Sequence, residues 1–155
     1  MPARTVNGLS IEVDGLVETL KAVGTVQAEL RPGVNGAIRD AAVECAGALV
    51  PALVSAASAS GVPVAPRVAR SIRVKRDRLP SVTIGGALAV GRGGGSAGAL
   101  VWGSEQGPKG DVNHFGVPPG PGYWIAPAVQ RFKAGPAIGR FQRALASIFR
   151  KAGLL

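Results

Sequence analysis

Hydrophobic and polar positions change period several times along this chain, and the changes mark its elements. Residues 1–13 alternate loosely, with Val6, Leu9, Ile11 and Val13 apolar, and predict an extended N-terminal arm or a short first strand. From Leu16 the period turns helical. Leu16, Val17, Leu20 and Val23 predict a helix over about 15–29, capped by Asp14 and ended by Pro32-Gly33. Ile38, Ala41, Ala42, Cys45, Leu49 and Leu53 form the next apolar stripe, which predicts a helix over about 36–59 with Asn35 as its cap. Pro51 lacks a donor N–H and crowds the carbonyl four residues back, so a kink or break is expected there.

Beyond the two-proline connector at 61–66 the period becomes two. Ile72 and Val74 fall on one side and Arg73 and Lys75 on the other, as in a half-buried strand. Asp77-Arg78-Leu79-Pro80 reads as a turn and Ser81-Val82-Thr83-Ile84 as the returning strand of an antiparallel hairpin. Ala87–Val90 and Ala99–Trp102 are short apolar runs that predict a third and a fourth strand, joined by a glycine-rich tip. Residues 107–122 hold five Gly and four Pro and predict a long loop. Helical spacing returns at Ala128, Val129 and Phe132, pauses at Gly135-Pro136, and resumes with Ile138, Phe141, Leu145, Ile148 and Phe149. The expected fold is α+β, an antiparallel sheet of three to four strands packed against N- and C-terminal helices. It is expected as a single domain: arm 1–13, helices 15–60, sheet 67–104, loop 105–123, C-terminal helices 126–152.

Composition narrows the function classes. A chain of 155 residues supports one core. No apolar run approaches the ~20 residues of a membrane span, and the N-terminus lacks the basic-then-apolar order of a signal peptide. A cytosolic protein without membrane contact is expected. Cys45 is the one cysteine and reads as a small buried hydrophobe. The net charge is +9. Residues 1–66 carry four basic and six acidic side chains, whereas residues 67–155 carry fourteen and three. Such asymmetry suits a basic surface facing a polyanion or an acidic partner.

Candidate chemistry is sparse. Ser104, Glu105 and His114 do not fit a hydrolytic set, since Ser104 lies on no strand-to-helix elbow and His114 has no evident orienting partner. No catalytic residue, cofactor or metal site is expected, because one histidine and one cysteine do not make a usual zinc site. Gly93, Gly95 and Gly98 match G-x-G-x-x-G, but lead into a strand-like run where the dinucleotide fingerprint needs a helix. Glu105 reads either as a turn-capping or salt-bridging carboxylate or as a subunit contact. Arg67, Arg70, Arg73, Lys75, Arg76 and Arg78 gather around one hairpin and suit phosphates, although no aromatic residue is interleaved for base stacking.

The order of short motifs carries one resemblance. Ser71-Ile72 opens the hairpin, Trp102-Gly103-Ser104-Glu105-Gln106-Gly107 closes the sheet region, and Trp124-Ile125-Ala126-Pro127-Ala128 enters the C-terminal helices. Across residues 15–150 this layout resembles the tail-component (tail completion, or neck) family of siphophages, in a form like those of actinobacterial phages. The family's usual Thr after the second glycine is Pro108 here. The resemblance implies a structural protein of the virion, assembled in the host cytoplasm. It would form a ring, expected as a hexamer, at the head–tail junction, joining connector or stopper proteins to the tail tube with DNA in the lumen. Trp102, Glu105, His114, Phe115, Tyr123 and Trp124 would form or support the seam between subunits. Arg73, Lys75 and Arg78 would face the lumen or a neighbouring ring. The alternative is a small basic protein that binds DNA without sequence preference.

Overall fold

The N-terminal arm is drawn into the sheet. The computed structural model describes residues 3–5, 8–24, 32–108 and 114–154. Strands β1 (Ala3–Thr5), β2 (Gly8–Glu12), β3 (Arg73–Lys75) and β4 (Ser81–Gly85) form one antiparallel sheet in the order β1-β2-β4-β3. The hairpin β3–β4 has the expected register, with Val74 opposite Val82. The fold is therefore α+β with an antiparallel sheet. Its central strand β2 comes from the arm, and the two expected strands at 87–90 and 99–102 do not form. Ala87, Leu88 and Ala89 are exposed, and Ala89 makes only an isolated bridge to Ser96.

Alternation sorts the sheet's two faces. Leu9, Ile11, Val82 and Ile84 are buried, with Val74 packed against them, on the face that meets the helices. Across the strands Ser10, Thr83 and Arg73 line up on the opposite face, flanked by Lys75. That face is a trough of ≈ 410 Å³. Ser71, ahead of β3, extends the hairpin: its hydroxyl accepts from Gly85 N–H at 2.8 Å, beyond the last ladder pair of Arg73 with Thr83.

Helix α1 spans Asp14–Gly24; the side chain of Asp14 and residues 25–31 lie outside the described residues. Helix α2 spans Pro32–Gly47, so Pro32 begins a helix instead of ending one, and Asn35 sits inside it. Proline suits a first turn because the N–H it lacks has no acceptor there. Helix α3 spans Leu49–Ala59, and the break at Ala48 meets the expectation from Pro51, whose ring opposes the Gly47 carbonyl. Pro32–Ala59 taken as one helix is long and apolar enough to cross a membrane by length and composition, contrary to the sequence expectation. Its stripe of Ile38, Ala42, Cys45, Leu49 and Leu53 is buried in the core.

Helix α4 (Ala65–Ala69) takes the end of the connector and the start of the expected sheet region at 67–104. Helix α5 covers Ala97–Gln106, where a strand was expected. Helices α6 (Ile125–Ala134) and α7 (Ala137–Lys151) follow the predicted stripe, separated at Gly135-Pro136. Helix α5 packs on β2 and β4, α3 on α6, and α2 on α7, so one continuous cluster of buried residues joins sheet and helices.

Candidate functional site

Helix α5 decides what the chain's most chemical stretch becomes. Ser96 is its N-cap, with the side-chain oxygen accepting from Ala99 N–H at 3.2 Å. The other first-turn donors are also taken: Ala97 N–H by the Leu88 carbonyl at 2.8 Å and Gly98 N–H by the Gly86 carbonyl at 2.9 Å. G-x-G-x-x-G therefore does precede a helix, contrary to the reading of a strand. Yet the N–H groups that a pyrophosphate would need at that terminus are spent inside the chain, and the sheet beside it is antiparallel.

The C-terminal end of α5 carries the buried pair Ser104 and Glu105, 0% and 4% exposed. One Glu105 carboxylate oxygen, Oε2, accepts from Trp124 N–H at 3.0 Å and Ile125 N–H at 2.7 Å. The other, Oε1, accepts from Ala126 N–H at 2.8 Å. These are the orphan donors at the start of α6, so the carboxylate caps that helix and meets its positive end. The Ser104 hydroxyl donates to the Val101 carbonyl at 2.7 Å and accepts from the Trp124 indole N–H at 3.2 Å. Backbone bonds complete the clasp, Tyr123 N–H to Glu105 O and Gly120 N–H to Gln106 O, both at 2.8 Å. Gly122 is needed beside it, since a Cβ there would stand 2.7 Å from Glu105 Oε1.

In this arrangement the Ser104 hydroxyl and the Glu105 carboxylate are occupied and enclosed. Glu105 is a capping carboxylate, of a helix start and not of a turn. Glu105, Tyr123 and Trp124 come together at the clasp. Trp124 is fully buried, while Tyr123 is half-buried and donates its hydroxyl to the Pro118 carbonyl at 2.6 Å. Phe115 lies across Gly103, where any Cβ would overlap its ring, and Trp102 is half-buried on the same helix. His114 stands apart, exposed, in a cleft of ≈ 490 Å³ with Arg67, Arg92 and glycines of the 91–95 hairpin. Among the described residues no three His, Cys, Asp or Glu side chains gather as metal ligands.

Of the basic residues singled out by sequence, Arg73 and Lys75 line the sheet's polar side. Arg73, Lys75 and Arg78 are exposed. Arg73 donates to the carbonyls of Arg70 and Ile72 at 3.0 and 2.7 Å, which fixes its stem along the strand end. Arg76 pairs with Asp40 at 3.4 Å, an exposed contact of small energetic weight. Comparison with family models, curated proteins and solved structures finds no match. Sequence reasoning missed the Arg67–Arg92–His114 cleft, whose members lie far apart in the chain. It also missed α5, for which Ser96 ahead of the apolar run and Gly107 after it were the available signals.

Proposed function

We propose that this chain is a structural subunit of a siphophage head–tail junction, a tail completion, neck or tail terminator protein. It forms a ring, expected as a hexamer, around the DNA channel. The carrying observation is the clasp: two of the motifs behind the resemblance, at 102–107 and 124–128, are one interlocked unit in which Ser104 and Glu105 hold α5 to α6. The chain spends its best chemical groups on holding shape, which suits an architectural role with no catalytic step. Trp102, His114, Phe115 and Tyr123 would supply the outer part of a subunit seam, with Glu105 and Trp124 supporting it from within. Arg73, Lys75 and Arg78 would turn toward the lumen or the adjoining ring. Light scattering with negative-stain imaging, across concentration and salt, tests this. Rings formed alone, or on adding a connector or tail-tube protein, are the expected result. A chain that stays monomeric with both partners overturns it.

A non-specific DNA-binding module is the second reading, favoured by the exposed cations beside the trough. It predicts a monomer whose affinity for duplex DNA falls steeply with salt.

A further inference from the structure

We infer that the cleft between α4, the 91–95 hairpin and residues 114–115 binds a phosphate group. Three separate segments bring Arg67, Arg92 and His114 to its wall, and among the described residues no carboxylate lines it. Val64, Leu100 and Phe115 make the remaining wall apolar, while Arg92 and His114 stand at its open side. Two of the hairpin's carbonyls, those of Gly91 and Gly95, are engaged within it. Gly95 O accepts from the N–H groups of Val90 and Gly91 at 2.9 Å, and Gly91 O accepts from Gly94 N–H at 3.1 Å. The N–H groups of Arg92 and Gly93, at the tip, meet no backbone carbonyl among the described residues. Guanidinium groups beside a glycine turn with outward N–H groups are the donor set that a tetrahedral, multiply charged oxyanion recruits. A volume of ≈ 490 Å³ admits more than the bare anion, and the Leu100–Phe115 wall suits a phosphate with an apolar or aromatic substituent. The site is separate from the trough with Arg73 and Lys75; it shares His114 and Phe115 with the proposed seam, so it belongs to the chain before ring assembly.

The test is an amide chemical-shift titration of the full chain with inorganic pyrophosphate. Saturable shifts are expected at residues 91–95 and at His114. Arg92→Gln, on the exposed hairpin, should weaken binding about tenfold, the loss of one charge-assisted contact. Arg67→Gln should act likewise, and Arg73→Gln with Lys75→Gln should leave it unchanged. Shifts that never saturate, that ignore Arg92→Gln, or that fall equally with Arg73→Gln and Lys75→Gln overturn the proposal. A single-stranded oligonucleotide that displaces pyrophosphate assigns the phosphate to a nucleic-acid strand. One that binds without displacing it assigns the cleft to a free phosphate compound.

Discussion

Glu105 is one carboxylate with three backbone donors at 2.7–3.0 Å, at the positive end of a ten-residue helix. Hydrogen bonds to an ionised acceptor are about twice as strong as neutral ones. Glu105→Gln keeps one acceptor oxygen and turns an NH₂ group toward the donors, so it should lower unfolding free energy by about 2–3 kcal/mol in urea titrations. Glu18→Gln, on the exposed side of α1, should stay within about 0.5 kcal/mol. Cys45 gives a test with a sign. Burial first, and the Glu44 charge second, raise its thiol above its ordinary value of 9.0. The folded chain therefore holds this proton more tightly than the unfolded chain does. The stabilisation is complete below pH 9.0 and is lost as pH rises from there through the folded value. Wild type minus Cys45→Ala stability, followed by urea unfolding from pH 8 upward, should fall along that window. The native thiol should also react slowly with a disulfide reagent until the chain is unfolded.

Helix α5 shows at the level of elements what sequence patterning left ambiguous. Ala99–Trp102 is four apolar residues, too short for period to separate strand from helix. Its identity is set by the Ser96 cap and by a floor of β2 and β4 beneath it. Removing the cap with Ser96→Ala should cost about 1 kcal/mol in denaturant unfolding and reduce helical circular dichroism only slightly. The β3–β4 hairpin and the C-terminal helices were legible because their stripes are regular: Val74 with Val82, then Phe141 and Leu145. The pairing of β2 with β4 was hidden by sequence distance. The 65–69 helix was hidden because Val68 and Ile72 fit either period. The clasp was half legible, since the lone acid in a basic stretch marked Glu105, but nothing local joined it to Trp124 nineteen positions on.

For the molecule as a whole, charge is the feature that reaches solvent. Of the three acids in residues 67–155, Glu105 is buried as a helix cap, so among the described residues of that half Asp77 is the acid at the surface. Binding to duplex DNA, where it occurs, should weaken linearly in log salt. Replacing Arg73 and Lys75 together by Gln should lower that slope by about two, as read from affinity titrations at several salt concentrations.

The order β1-β2-β4-β3 also has a consequence in time. Strands β1 and β2 leave the ribosome well before β4, and on the side away from β1, Gly8 to Glu12 pair only with Ser81 to Gly85, about seventy residues later. At ordinary elongation rates that is an interval of roughly 4–15 s. Through it β2 has only the three-residue β1 beside it, and its other edge, with the apolar Leu9 and Ile11, waits for β4. Nascent chains stalled just short of residue 81 should therefore be captured by holdase chaperones, and chains stalled well past 85 released.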